Sequence, residues 1–398
     1  MVIYGGVSLN GRERIAFVCQ RYGAEVNGGA ELHCFQLTNK LAEKFDVTVY
    51  TTCALDYVTW KNHYPAGEEQ IGPIRVKRYA VDRERDKERF DRLSEKILGR
   101  PHTDRDEEKW IDEQGPYCPA LIKALEKEHG EYRVVFFMTY LYYLTAKGLP
   151  LGFDNAMLVP TVHDEPPVYL RWYEKVFAAA KGICWNSEEE KAFANRRFPM
   201  TKDTPGIMAG VGVDGPPAEL PEIPEAIRGK KYLVYVGRID GSKGCGEMFA
   251  FFQRYREECG KDISLVLMGK PVMDIPEDEG IIPLGFVSEE MKFAVMNEAF
   301  ALVLFSRFES LSMVVLESLR LGRPVIVNGQ CEVLKGHCLR SNAGLYFGNY
   351  PEFRECVKWM SSHPAEYEVM RENGKRYVRE HYSWDVIIQR YEGLIDNS

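Results

Sequence analysis

Two glutamates, Glu309 and Glu317, stand eight positions apart in the segment Phe308-Glu309-Ser310-Leu311-Ser312-Met313-Val314-Val315-Leu316-Glu317. An ionised carboxylate only accepts hydrogen bonds, so one in a loop can bind sugar hydroxyls and one inside a helix can grip a ribose diol. Upstream, Arg238 and Lys243 share the segment Gly237-Arg238-Ile239-Asp240-Gly241-Ser242-Lys243-Gly244. Loop cations suit phosphate oxygens, the arginine with two N–H groups at once. Taken singly, each pair has a plainer reading: a solvated acid beside a helix-face acid, and a surface Arg-Lys pair.

The elements that must hold these residues are legible in the apolar spacing. Val303-Leu304-Phe305 is a short apolar run that predicts a buried strand. Ser312 is the expected N-cap of a helix from Met313 to Leu321, stopped by Gly322. Glu309 then lies in the loop at the strand's carboxyl end, with Glu317 about one and a half turns into the helix. Tyr232-Leu233-Val234-Tyr235-Val236 predicts the strand ahead of the Arg-Lys loop, and a helical segment follows that loop. Ser264–Gly269, Pro283–Val287 and Gly322–Val327 follow in order further along the chain. In open α/β sheets ligands bind at the carboxyl ends of the strands, where helix N-termini offer free N–H groups to anions.

Over most of residues 205–380 this order resembles the donor domain of glycosyltransferase family 4, the retaining nucleotide-sugar glycosyltransferases with the two-domain GT-B fold. A Gly-Arg-x-x-x-x-Lys-Gly loop and a Glu-x7-Glu element carry the resemblance. It implies an α/β protein of two Rossmann-like domains whose parallel sheets face an interdomain cleft. Arg238 and Lys243 would contact the donor diphosphate, Glu309 the hydroxyls of the donor sugar, and Glu317 the ribose diol. The backbone around Leu311, Ser312 and Met313 would face the phosphates. Phe286-Val287 is similar to the segment whose main chain meets the base, although such pairs also serve as core. In the first domain Gly28-Gly29 resembles the glycine loop that lets ligands approach the backbone, with plain turn glycines as the alternative. His163, in Val162-His163-Asp164, resembles the histidine facing the transferred sugar. The family works without a metal and retains anomeric configuration without a well-placed protein nucleophile, so no catalytic base is assigned. Two segments depart from the usual pattern: Gly269-Lys270-Pro271 replaces a Gly-x-Gly, and Asn328-Gly329-Gln330-Cys331-Glu332 replaces a Gly-Gly-x-x-Glu.

The length of 398 residues fits two domains. A net charge of −8 argues against a general nucleic-acid binder, so any anionic ligand must be held by locally placed cations. Ten cysteines show no Cys-x-x-Cys pair and no Cys–His spacing of a zinc site, even around Cys331, His337 and Cys338. Reduced thiols in a cytoplasmic protein are the simpler account. The start, Met1-Val2-Ile3-Tyr4-Gly5-Gly6, lacks a basic leader and an apolar core. The longest apolar run, Val134 to Ala146, is shorter than the ~20 residues of a membrane span. A soluble protein is expected, with peripheral membrane contact left open.

Along the first domain, the strand Arg14–Cys19, the glycine loop Tyr22–Glu31, a helix through Phe45 and the strand Asp46–Tyr50 form a βαβ unit. Its glycines do not match Gly-x-Gly-x-x-Gly, which disfavours a nicotinamide cofactor. Residues 82–114 are charged and helical. Asp104-Arg105-Asp106 is formally an Asp-x-Asp metal motif but reads as a solvated face. Ser187 and Glu190 have the spacing of a capping box. Pro216, Pro217, Pro221 and Pro224 make an extended connector. The expected division is 1–204 on the acceptor side, 205–380 on the donor side, and an amphipathic C-terminal helix, 381–398, returning to the first domain. The expected activity is retaining, metal-independent sugar transfer from a nucleotide-sugar donor to a glycan or glycolipid acceptor in cell-surface polysaccharide biosynthesis, with no separate cofactor. A nucleotide-sugar epimerase of the same architecture and a non-catalytic sugar-nucleotide-binding protein are the competing readings.

Overall fold

A computed structural model describes residues 11–26 and 28–397. The start of the chain, Met1 to Gly6, and Asn27 of the glycine loop lie outside the described residues. The chain divides into two compact units, one running through Val211 and resuming at Ile387, the other Gly212–Val386.

The first unit begins β1 (Arg14–Val18), α1 (Gly29–Leu41), β2 (Asp46–Thr52), β3 (Gly67–Ile71), β4 (Ile74–Tyr79), α2 (Lys87–Ile97), α3 (Asp104–Gln114) and α4 (Pro119–Glu128). It continues β5 (Val134–Met138), α5 (Tyr143–Gly148), β6 (Ala156–Val159), α6 (Trp172–Ala179), β7 (Gly182–Trp185), α7 (Glu188–Arg197) and β8 (Gly206–Met208). These strands form one eight-stranded sheet, β3-β4-β2-β1-β5-β6-β7-β8. All neighbours are parallel except β3, which pairs antiparallel with β4 at the edge. The central strands are apolar on both faces: Ile15 to Val18 and Val134 to Phe137 are fully buried. Burial on both faces is what a parallel sheet with helical crossovers requires. Edge strand β3, Gly-Glu-Glu-Gln-Ile, is mostly exposed, and its charges blunt further strand pairing.

The second unit runs β9 (Lys231–Val236), α8 (Cys245–Cys259), β10 (Ile263–Met268), β11 (Ile281–Gly285), α9 (Glu289–Glu298), β12 (Ala301–Leu304) and α10 (Met313–Arg320). It closes with β13 (Val325–Asn328), α11 (Glu332–Ser341), β14 (Gly344–Phe347), α12 (Tyr350–Ser362) and α13 (Pro364–His381). Its six-stranded sheet, β11-β10-β9-β12-β13-β14, is parallel throughout.

The final helix, α14 (Trp384–Asp396), spans the division. From Ile387 on it packs on the first unit: Tyr391 meets Phe136 edge-on, Arg390 donates to the Ala209 carbonyl, and Arg133 donates to the Ile395 carbonyl.

Several boundaries differ from the sequence reading. Residues 205–211 stay with the first unit because β8 extends its sheet beside β7. Tyr382, beyond the expected boundary at 380, stays with the second unit, where its carbonyl accepts from Val213 N–H. Helix α1 stops at Leu41, short of Phe45. The stretch 82–114 folds as two helices, α2 and α3, clamped by Trp110, which is buried against Phe90 and donates to Ser94 Oγ at 2.8 Å. Asp106 is occupied in a capping box with Thr103, while Asp104 pairs with Arg171. All ten cysteines are unpaired. Among the described residues no helix is long and apolar enough to cross a membrane.

Candidate functional site

In the second unit β9 and β12 are parallel neighbours, so the loops leaving their carboxyl ends must run side by side. The first loop carries Arg238 and Lys243, the second Glu309. Lys243 Nζ lies 2.9 Å from Glu309 Oε1, with the lysine side chain 35% exposed and the glutamate 17%. The structure thus joins two residues that the sequence keeps 66 positions apart.

The residue that shapes the first loop is Asp240, to which sequence reasoning assigned no role. Its carboxylate pairs with Arg238 Nε and accepts from Ser242 Oγ at 2.5 Å and from Lys243 N–H at 3.1 Å. Burial by itself pushes the Asp240 carboxyl up, but the bonds from Ser242 and Arg238 outweigh burial and hold it below the usual carboxylate range. The signal was present, since Asp before a short helical turn is a strong N-cap.

Two glycines pack this loop against backbone. A Cβ on Gly244, whose φ is +73°, would come within 2.4 Å of the Phe305 carbonyl oxygen. One on Gly269 would fall 1.9 Å from the Gly237 carbonyl oxygen. Ile239 N–H donates to the Lys270 carbonyl and Val272 N–H to the Ile239 carbonyl, each at 3.0 Å, so Gly269-Lys270-Pro271 braces the Arg238 loop.

Ser312 corrects an expectation. It occupies the N-cap position of α10 but in the left-handed region, φ +66°, and its side chain makes no cap hydrogen bond. The first N–H groups of α10 are therefore left without that cap, an arrangement that favours an anion. A left-handed non-glycine residue is strained, and such strain collects at functional sites. Leu311, just before it, has its carbonyl 2.7 Å from Nε2 of buried His337. Met313 opens the helix.

Glu317 lies on α10 and ends in an ion pair with Lys292 of α9 at 2.9 Å. Phe286 and Val287 follow β11 and lead into α9. Phe286 is 77% exposed, so the reading of this pair as core fails for the aromatic ring.

In the first unit Gly28 sits at the start of α1 with φ +155°. A Cβ there would strike Glu31 Oε2 at 2.2 Å and Arg21 Nη2 at 3.0 Å, whereas one on Gly29 would meet nothing within 4 Å. Gly28 thus makes room for the buried Arg21–Glu31 ion pair at 2.6 Å, which the sequence did not disclose. His163 follows β6, its Nε2 3.6 Å from Glu165 Oε2; Glu165 Oε1 accepts from Tyr140 O–H at 2.7 Å. Thr139 and Thr161, next to the ends of β5 and β6, also have positive φ. Ser187 caps α7 as expected. The Glu190 carboxylate also spans the preceding chain: it accepts from Asn186 N–H at 2.6 Å and from Val162 N–H at 2.7 Å, beside His163.

Comparison with known proteins bears on the same segment. Residues 230–359 match the family model described as Glycosyl transferases group 1. Glycosyltransferase 1 domain-containing protein 1 of Xenopus tropicalis is 29% identical over 126 residues, 31% of this chain and 35% of that protein. The chain thus aligns with about a third of that relative's length. Sucrose-phosphate synthase from Thermosynechococcus elongatus superposes with a TM-score of 0.69 at 17% identity, covering 97% of this chain and 100% of that one. Trehalose-6-phosphate synthase from Burkholderia multivorans gives 0.70 at 12%, covering 97% and 98%. HepE of Anabaena, in complex with UDP and glucose, gives 0.66 at 14%, covering 97% and 100%. The fold is GT-B.

Proposed function

We propose that this chain, whose residues 230–359 match the family model described as Glycosyl transferases group 1, moves a sugar from a nucleotide-sugar donor to a glycan or glycolipid acceptor with retention of anomeric configuration. The observation that carries the reading is the Lys243–Glu309 pair in the loops that hold Arg238 and lead to α10, whose N-cap Ser312 makes no side-chain cap bond. As the glycosidic bond breaks, negative charge grows on the departing diphosphate. Fixed cations and N–H groups aimed at that charge stabilise the transition state without reorganising. Arg238 and Lys243 supply the charge, and the backbone from Leu311 to Met313 supplies the amides.

When diphosphate draws Lys243 toward it, Glu309 is released to accept from the hydroxyls of the sugar. Glu317 binds the ribose diol, and the chain at Phe286 and Val287 meets the base. His163 faces the transferred sugar, and Gly29, where a Cβ would meet nothing within 4 Å, leaves the backbone open to a ligand. No protein base is assigned; the departing phosphate takes the acceptor's proton. With charge supplied by side chains, no metal is required. UDP or a UDP-sugar analogue accompanies two of the structural neighbours, which makes UDP-sugars the first donors to try. A cytoplasmic place in cell-surface polysaccharide synthesis, with peripheral membrane contact, fits a lipid-linked or glycan acceptor.

A panel of nucleotide sugars and acceptors, read by nucleotide release and by anomeric proton NMR of the product, tests this. Acceptor-dependent release with retention, unchanged by a chelator, is expected. Sugar isomerisation without acceptor would replace the reading by an epimerase, and donor binding without any release would leave a sensor.

A further inference from the structure

Lys292 is absent from the residues that sequence reasoning singled out, yet it is not a surface lysine. It lies in the first turn of α9, on the stretch that leads directly from Phe286 and Val287. Its side chain is 11% exposed, with Nζ 2.9 Å from Glu317 Oε1 and 2.6 Å from Glu289 Oε2. An ammonium so placed is costly unless paired. Burial pulls its pKa down, but Glu317 and Glu289 more than reverse this, so it stays charged.

Glu317 is in the converse position. Burial pushes its carboxyl above the ordinary carboxylate range; Lys292 offsets this only in part, and Glu289 and Asp214 add to the rise. Among the described residues Lys292 is its hydrogen-bond partner, on Oε1, which leaves Oε2 for another donor. A ribose diol presents two O–H donors, and an ionised carboxylate accepts both. A protonated one would turn an acceptor into a donor.

We infer that Lys292 is the positioning residue that makes the donor site select ribonucleotides over deoxyribonucleotides, by holding Glu317 through Oε1 and presenting Oε2 to the ribose hydroxyls. This rests on the reading of Glu317 as the ribose ligand. Calorimetric titration of the full chain with UDP, GDP and ADP, each against its 2′-deoxy form, tests it. The wild type is expected to prefer the ribose form of its best ligand by about ten- to a hundredfold, the range of a hydrogen bond to a charged group. Lys292→Met is expected to bring that ratio within about threefold of one, mainly by weakening the ribose form. A purely structural lysine would weaken both forms alike and keep the ratio, which overturns the inference. Should that variant not fold, Lys292→Met with Glu317→Gln leaves no unpaired buried charge and is expected to bind both forms equally; a retained preference overturns it again. Glu317→Gln alone separates the two levels. If that variant keeps the full preference, or the wild type binds none of the three nucleotides, the assignment of Glu317 falls and the inference with it.

Discussion

Replacing Lys243 by alanine should cost the donor site one of its two charge contacts without disturbing the loop that presents them. The loop is set by Asp240, which accepts from the Lys243 backbone N–H and from Ser242, neither of which the substitution touches. A cation about 4 Å from a phosphate oxygen, at an effective dielectric near 20, contributes up to about 4 kcal/mol. The 35% exposure of the side chain trims that to about 2–4 kcal/mol. Donor affinity and kcat/KM should therefore fall roughly thirty- to a thousandfold.

The structure adds a second-order expectation. In Lys243→Ala the Glu309 carboxylate, only 17% exposed, loses its ion-pair partner beside the incoming diphosphate. Adding Glu309→Gln removes that repulsion, so the double variant should bind nucleoside diphosphate more tightly than Lys243→Ala alone, while sugar transfer stays impaired. Calorimetry with UDP reads the binding, and nucleotide release reads the rate. Lys243→Ala within threefold of the wild type, or a double variant that binds no better than the single one, would refute the reasoning.

Gly244→Ala should destabilise the second unit, because its Cβ would lie 2.4 Å from a backbone oxygen at a φ of +73°. A loss of about 2–4 kcal/mol is expected from the clash and the left-handed backbone together, visible as a lowered Tm. An unchanged melting curve would contradict the packing. Burial pushes the Glu190 carboxyl up to about 8. An acid whose folded pKa is raised contributes full stability below its unfolded pKa and loses it as pH rises toward the folded value. Wild-type stability should therefore decline from about pH 5 to pH 8 relative to Glu190→Gln; parallel profiles for the two proteins would contradict this. His163→Ala is expected to lower kcat at least tenfold with little change in nucleoside diphosphate affinity. Equal losses in both would make the residue structural.

The parts of the second unit that were legible in the sequence owe this to local causes. Leu233 to Tyr235 and Ala301 to Val303 are apolar at every position, as strands buried on both faces must be. A loop between such a strand and a helix has one place to go. What stayed hidden depends on neighbours distant in the chain. Lys292 becomes notable only once α9 packs beside α10, and Asp240 reads as an ordinary acid until Arg238 and Ser242 converge on it. Ser312 misled because cap propensity describes side-chain bonding, whereas here the backbone takes the left-handed region and the side chain leaves the helix start uncovered. The first unit runs to Val211 rather than stopping near 204 for a similar reason. Gly206–Met208 is too short to announce itself as a strand, and only pairing with β7 fixes it in the first unit.

A crystal structure of the protein soaked with a nucleotide sugar, UDP-glucose first, tests the central claim most directly. Arg238 and Lys243 should each lie within about 3 Å of a diphosphate oxygen, with Glu309 turned from Lys243 to the sugar. A bound diphosphate from which both cations point away would contradict the account.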